Sequence, residues 1–180
     1  MTRPIERPQP SEYAPYYAAY IDLIEDGDIL KILADQMEET LTLVRAVPPE
    51  LEKYSYGAGK WSVREVIGHL IDTERVFDYR AFTFARGDAG PLPGMDQDQY
   101  AKVSNAESRS LEDLSDELQA VRASTLAFFR GLPDEAWERS GIASDYSFTV
   151  RSIPYLIAGH ELHHHTGLVE NYLVDLDPVA

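Results

Sequence analysis

Cysteine is absent from this sequence of 180 residues. Disulfide bonds, thiolate metal ligands and a cysteine nucleophile are therefore excluded, and any metal must be held by histidine, aspartate, glutamate or backbone oxygen. Positive charge is also scarce, because 16 lysines and arginines stand against 31 aspartates and glutamates, which gives a net charge of −15. Binding to nucleic acid or to an anionic membrane surface needs clustered positive charge, so neither is an expected partner.

Long hydrophobic runs are absent as well. No stretch approaches the roughly 18 apolar residues of a membrane-spanning helix, and residues 1–15 lack the apolar core of a signal peptide. These absences predict a cytoplasmic protein. The length and the 44% apolar content fit one globular domain over residues 1–180. Within it, the proline-rich residues 1–27 predict an irregular N-terminal arm that packs on the rest.

Four segments carry apolar residues at the three- and four-residue steps of an amphipathic helix. They run from Asp28 to Val47, from Ser62 to about Arg86, from Ser110 to Gly131, and from Thr149–Ser152 to about Val174. Residues 87–109 show no sustained period, and a connection this long is typical of a crossover or a functional loop. Tyr146–Val150 is a short β-like run without a convincing partner strand. The pattern predicts an all-α four-helix bundle with a long crossover between its second and third helices.

Four of the five histidines lie in residues 160–170, HELHHHTGLVE, which fits the zinc-protease signature H-E-x-x-H. In a metzincin, Glu161 would be the general base and Glu170 a third ligand. That class also needs a strand-containing domain upstream, and the chain here is able to continue helically beyond Gly167. A ferritin-like di-iron site is disfavoured too, because a second Glu-x-x-His copy is missing. These observations favour a different metal site in a helical bundle.

Helical geometry selects three histidines for the bundle interior, since each residue turns about 100° from the last. On the last helix, His160 and His164 lie in the middle of the apolar stripe, His163 lies at its edge and His165 points away. The same calculation turns His69 inward on the second helix. Three imidazoles from two helices predict a divalent metal site with a fourth position open for water or substrate.

Other polar side chains near these faces have two possible roles. Asp72 flanks the His69 face, where it would either orient an imidazole or lie at a solvated helix edge. Arg80 is three turns from His69 on the inward stripe, where an unpaired charge is costly. It would either receive a carboxylate from a substrate or form an ion pair with a neighbouring helix. Asp72, Glu161 and Arg80 are the candidate catalytic residues, and the N-terminal tyrosines would cover the bundle end or line a substrate mouth.

The segments GKWSVREVIGHLIDTE and IAGHELHHHTG, separated by a long crossover, resemble the DinB-like (DinB/YfiT) superfamily of metal-dependent enzymes. The resemblance covers the chain from about Asp28 to Leu173. It implies an up-up-down-down four-helix bundle in which His69, His160 and His164 hold zinc or nickel. It also implies a homodimer.

The resemblance further implies chemistry on a low-molecular-weight thiol, as in bacillithiol S-transferases and mycothiol-dependent isomerases, with the metal favouring the nucleophilic thiolate. The first hypothesis is therefore a metal-dependent enzyme that transfers or conjugates a small thiol. The second is hydrolysis by water activated at the metal, with Glu161 or Asp72 as base. The third is a metal-stabilised binding module without chemistry. A small-molecule substrate is expected in the first two cases, and imidazoles alone do not separate zinc from nickel, iron or copper.

Overall fold

Four long helices form a bundle in the computed structural model, which describes residues 5–173. They are α2 (Ile29–Arg45), α3 (Val63–Ala85), α5 (Leu111–Arg130) and α6 (Ser152–Asn171). Two short helices, α1 (Ala18–Ile21) and α4 (Gln97–Val103), lie in the N-terminal arm and in the crossover. The four predicted helices are confirmed, although the predicted end of the last one at Val174 lies outside the described residues. None of the helices in this part of the chain is long and apolar enough to cross a membrane.

Side-chain caps begin the bundle helices at the positions that the sequence indicates. The Asp28 carboxylate accepts hydrogen bonds from backbone amides in the first turn of α2. Ser62 and Glu65 form a reciprocal capping box, with the Glu65 amide 3.2 Å from Ser62 Oγ and the Ser62 amide 2.9 Å from Glu65 Oε2. Ser110 caps α5 by accepting from the Asp113 amide at 3.2 Å. Capping therefore accounts for the position of Glu65.

Contacts near the helix ends show that α3 and α5 run parallel. Arg64, at the start of α3, donates to the carbonyl of Glu107 just before α5, at 3.0 Å. Near the other ends of the two helices, the rings of Phe82 and Phe128 lie 6.3 Å apart. Parallel neighbours need a connection that returns along the bundle, and residues 86–110 supply it. The predicted long crossover between the second and third helices is confirmed.

Contacts between helix ends also give the directions of α6 and α2. The Tyr172 hydroxyl, just after α6, donates to the carbonyl of Trp61, just before α3, at 2.8 Å, so these two helices are antiparallel. Ile29 and Ile153, at the starts of α2 and α6, share one apolar cluster, so α2 and α6 run the same way. The bundle helices therefore run up, down, down, up in chain order. This order differs from the up-up-down-down arrangement that the resemblance implied, because the parallel neighbours in sequence are the second and third helices.

The bundle core is divided into two apolar clusters with a polar layer between them. One cluster contains Leu126 of α5 and Leu156 of α6, and the other contains Leu118 and Leu168 of the same two helices. The buried polar residues of the four long helices that fall between them in sequence include Glu74, Arg122, His160 and Glu161, and the buried His69 of α3 contacts His160. The candidate site and the buried charges thus share the middle of the bundle.

Arg122 links all four bundle helices through one guanidinium. Its Nε and Nη2 atoms each donate to a carboxylate oxygen of Glu74 at 2.8 Å, and Nη1 donates to the carbonyl of Leu33 at 2.7 Å. Nη2 also lies 2.9 Å from Glu161 Oε2. Burial alone would lower the pKa of Arg122, but the charges of Glu161 and Glu74 raise it. The arginine therefore stays charged between two carboxylates, at 2% exposure.

A β-hairpin joins α5 to α6, with β1 (Ser140–Ala143) antiparallel to β2 (Tyr146–Thr149). The β-like run is confirmed, but its partner β1 was missed from the sequence. The two turn residues, Ser144 and Asp145, have φ values of 48° and 66°. Two-residue hairpin turns with positive φ usually carry Asn-Gly or Asp-Gly, so Ser-Asp gives only a weak signal.

The N-terminal arm is fastened to the start of α6 by a buried carboxylate. Glu12 Oε2 accepts from Arg151 Nε at 2.6 Å and from Thr149 Oγ1 at 2.7 Å. Burial raises the pKa of Glu12, but hydrogen bonds from Arg151, the Gln9 amide and Thr149 outweigh it and lower that pKa. The ionised carboxylate thus positions the arm beside α6, and the tyrosines that follow it in sequence reach the middle of the bundle.

Replacing Arg122 by methionine tests the central link. The change leaves two carboxylates buried without a cation, so we expect Arg122→Met to lower the free energy of unfolding by about 3–5 kcal/mol. Arg109→Met is the matched control, because Arg109 pairs with Asp113 and Glu117 at the surface and should cost less than about 1 kcal/mol. Urea unfolding followed by circular dichroism gives both values. Equal, small losses in the two variants would contradict the role given to Arg122.

Candidate metal centre

Three histidine side chains converge in the polar layer of the bundle. His69 comes from α3, and His160 and His164 come from successive turns of α6. Their ligand nitrogens all lie within 4.8 Å of one another, and the Nε2 atoms of His69 and His160 are 2.9 Å apart. The ring centroids are 4.6–4.9 Å apart in all three pairs. The structure thus brings together the three histidines that the helical geometry directed inward.

Aromatic rings surround these imidazoles. The ring of Trp61 lies 4.6 Å from that of His69 and is stacked on that of His164 at 6.4 Å. On the other side, Tyr20 of α1 meets His160 edge-on at 5.8 Å. These walls restrict the orientation of each imidazole.

Burial keeps all three imidazoles in the neutral form. It lowers the pKa of His69 to about 4. Burial, followed by the neighbouring charges of His69 and His163, lowers the pKa of His164 to about 3. The pKa of His160 lies well below its ordinary value, mainly through burial and then through the neighbouring histidines. Neutral imidazole, which carries a free lone pair, is the form that binds a metal ion.

The group is open on its remaining side. Within residues 5–173, no carboxylate and no fourth histidine joins the three. His163 is exposed and packs against Tyr20, with 5.2 Å between ring centroids, and His165 is outside the group. Three imidazoles with an open fourth position match the donor set of catalytic zinc sites, whereas structural zinc sites are closed by a fourth protein ligand.

The glutamates of the protease signature do not take protease positions. Glu161 turns about 100° from His160 around α6 and is held by Arg122 in the core. Glu170 is exposed, and α6 continues through Gly167 to Asn171. A metzincin would end this helix at the glycine so that a third ligand could return. The H-E-x-x-H segment is therefore part of a bundle helix and does not form a metzincin site.

Asp72 also lies away from the three histidines. The charged groups that act on it are Arg75, Glu117 and Arg109, which border α5, and burial raises its pKa. Its carboxylate is therefore directed to the α3–α5 side of the bundle. The candidate role of Asp72 in orienting a ligand imidazole receives no support from this position.

Arg80 is the candidate that does border the histidines. Its side chain is buried, and its Nη2 donates to Ser144 Oγ at 2.9 Å and to the carbonyl of Pro93 at 3.2 Å. No carboxylate in the described part of the chain forms an ion pair with it, so the expected alternative of a structural ion pair with a neighbouring helix is not formed. Arg80 and the imidazoles of His69 and His160 line the same cavity.

Two cavities adjoin the three histidines from different sides. The larger has a volume of about 480 Å³ and is lined by His164, Trp61, Lys60 and Tyr172, among others. The smaller has a volume of about 220 Å³ and lies under the N-terminal tyrosines. The larger falls within the usual size range of small-molecule sites. The imidazole group is thus accessible from both sides.

The chain matches the family model of the DinB superfamily over residues 32–166. It belongs to the DinB superfamily. Among solved structures, YfiT from Bacillus subtilis, described as a probable metal-dependent hydrolase with an unusual four-helix bundle topology, superposes with a TM-score of 0.70 at 17% identity, covering 92% of this chain and 90% of that one. A mycothiol-dependent maleylpyruvate isomerase gives a TM-score of 0.67 at 12% identity, covering 89% of this chain and 64% of that one. Comparison with curated proteins finds no match.

The two structural similarities establish the fold of this DinB superfamily member and leave its reaction open.

Three parts of the site were not assigned from sequence. Trp61 had no assigned role, Tyr20 was one of several N-terminal tyrosines expected at the bundle end or at a substrate mouth, and Ser144 lies in a hairpin whose first strand was missed. Trp61 stands one residue before the capping box, so its position beside the first turns of α3 could have been deduced. The other two depend on tertiary contacts.

A glycine next to His160 allows the N-terminal arm to approach. A Cβ atom on Gly159 would lie 2.2 Å from the backbone oxygen of Tyr20 and 2.9 Å from its Cβ. Contacts this short are excluded for a real side chain, and a backbone atom cannot move aside cheaply. Gly159 therefore permits the α1–α6 contact that places Tyr20 against His160.

Gly159→Ala and Gly167→Ala form a matched pair on one helix. Alanine is favoured over glycine in a helix by about 1 kcal/mol, and a Cβ on Gly167 meets no atom within 4 Å. We expect Gly167→Ala to raise the melting temperature and Gly159→Ala to lower it, because the second change forces α1 off α6. Thermal unfolding of both variants measures the direction of each change in melting temperature. A stabilised Gly159→Ala protein would contradict the close packing.

Proposed function

We propose that His69, His160 and His164 hold a divalent metal ion, zinc or nickel, and that this protein is a metal-dependent enzyme acting on a small molecule. The reaction proposed is the transfer or conjugation of a low-molecular-weight thiol. The observation that carries the proposal is the open group of three neutral imidazoles between two cavities, two of them buried and the third, His164, half-buried.

The residues present fit a divalent ion of this kind. Imidazole nitrogen suits zinc and nickel among the common protein metals, and the three donors come from rigid helices. A divalent ion bound there would lower the pKa of a thiol beside it and hold the thiolate form. Trp61 and Tyr20 hold the imidazoles in position through ring contacts, and the open position leaves room for one more ligand.

Thiol chemistry fits the surroundings better than hydrolysis does. Many metal-dependent hydrolases add a carboxylate base to the water activated by the metal. The two carboxylates considered for that role lie elsewhere, because Glu161 contacts Arg122 and Asp72 is on the α3–α5 side of the bundle. A thiol that is already ionised needs no such base. The similarity to a mycothiol-dependent isomerase is consistent with thiol chemistry. The similarity to YfiT, described as a probable metal-dependent hydrolase, supports hydrolysis as the alternative.

The two cavities support a reaction with two substrates. The larger one provides about 480 Å³ beside His164, enough volume for a thiol cofactor, and the smaller one provides about 220 Å³ beside His69 and His160. A thiol and its electrophilic partner would then meet at the imidazole group from two different cavities. The open fourth position favours such an enzyme over a metal-stabilised binding module.

Metal content distinguishes the histidine group from the protease arrangement. Each of His69→Ala, His160→Ala and His164→Ala removes one of three donors, so we expect metal occupancy to fall about ten-fold or more. Glu170→Ala and His163→Ala are controls that should keep the metal, since both side chains are exposed. The measurement is elemental analysis of protein purified without a histidine tag. Retention of metal in His69→Ala together with loss in Glu170→Ala would overturn the assignment.

Turnover tests the proposed chemistry. Metal-loaded protein, incubated with bacillithiol or mycothiol and the electrophile monochlorobimane, should form the fluorescent conjugate faster than the His69→Ala variant does. The variant controls for the spontaneous reaction of the thiol. Ester, amide and phosphoester substrates are assayed in parallel. If no thiol reacts above the variant and one of these substrates is cleaved, the protein is a hydrolase and the thiol proposal fails.

A further inference from the structure

The smaller cavity contains a positive charge with no negative charge facing it. Its walls are formed largely by aromatic and apolar side chains from the N-terminal arm and α3, including Tyr16, Tyr17, Val76 and Phe77. Arg80 is the one lysine or arginine among its lining residues, and none of them is acidic. In a chain with 31 aspartates and glutamates, this local absence of acid leaves the guanidinium uncompensated.

The protein satisfies only part of the hydrogen-bonding capacity of Arg80. A guanidinium has five N–H donors. Within residues 5–173, Nη2 donates to Ser144 and Pro93, and Arg80 also forms a hydrogen bond with the Tyr17 side chain. The rings of Phe77 and Phe148 lie 5.8 Å and 5.9 Å from the guanidinium carbon and stabilise the charge through cation–π contacts. The side chain is only 3% exposed. These contacts hold the arginine in place and leave donors for a ligand.

Arg80 and the histidines lie at two ends of the same space. Arg80 is 11 residues after His69 on α3, which corresponds to about 16 Å along the helix axis and nearly the same face. Side chains lean toward the N-terminal end of their helix, so the guanidinium extends back toward the imidazoles. His69, His160 and Arg80 all line this cavity. A molecule of moderate length could contact both ends at once.

We propose that this cavity is a subsite for a substrate carboxylate, with Arg80 as its ligand and the aromatic walls holding the carbon chain behind it. The planar guanidinium fork matches a carboxylate in a bidentate manner. A single cation suits a monoanion better than a phosphate dianion. The assignment rests on the proposed function and adds to it the class of the second substrate: an electrophile with a carboxylate at one end and its reacting centre at the other.

Binding to the metal-free protein tests the subsite without involving the metal or thiol chemistry. Straight-chain carboxylates of two to eight carbons are titrated by calorimetry, each against its neutral primary amide. We expect at least one acid to bind about ten-fold more tightly than its amide, because hydrogen bonds to charged groups are stronger than neutral ones. In Arg80→Met this preference should fall to within about two-fold. Arg80→Lys should keep part of it, since the charge remains but the fork is lost.

Arg86→Met, at the C-terminal cap of the same helix, is the matched control. Arg86 is exposed and lies over Phe82, so this variant removes the same charge outside the cavity and should keep the preference. No preference for any acid in the wild-type protein, or an unchanged preference in Arg80→Lys and Arg80→Met, would overturn the subsite. If Arg80→Met does not fold, the wild-type and Arg80→Lys comparison decides alone. Failure of the thiol assay with retained carboxylate binding would refute the reaction and leave the subsite standing.

Discussion

Arg122 holds the bundle together at its centre. It is one of the largest fully buried side chains, and it contacts Glu74 of α3, Glu161 of α6 and the backbone of α2 from its own position on α5. Such a cluster stabilises little in net terms, because the cost of removing three charges from water is large. It does fix register, since any slip of one helix would leave a buried charge alone. The positions of the other helices therefore depend on this one side chain.

The register fixed by Arg122 is also the register of the histidine group. Glu161 directly follows His160, and Glu74 is five residues after His69, so the cluster that aligns α3 with α6 aligns the imidazoles as well. The residues of the H-E-x-x-H segment therefore lie on two different faces of α6. The histidines at 160 and 164 face the open site, and the intervening glutamate faces the core. In a zinc protease, the same glutamate would have to face the site.

Much of the fold and the histidine group could be predicted because local rules govern them. Helix periodicity, the capping box at Ser62 and the 100° rotation per residue each act within a few residues. The hairpin partner β1 was missed because its turn has positive φ at Ser144 and Asp145 without the usual glycine. The position of Arg122 between Leu118 and Thr125 on the buried stripe was visible, but its two carboxylate partners on other helices were not. Helix direction likewise depends on contacts across the chain.

The two polar centres of the bundle have opposite electrostatic character. Around Arg122, two carboxylates of the protein itself enclose one cation. Around Arg80, aromatic rings enclose the cation, and no acid approaches within ion-pair distance in the described part of the chain. Both arginines are buried to a similar degree, so burial does not explain the difference. A fold that can place two carboxylates against Arg122 could place one against Arg80. No carboxylate of the described residues pairs with Arg80 beside the three histidines, and this favours a role for the Arg80 charge in binding a ligand.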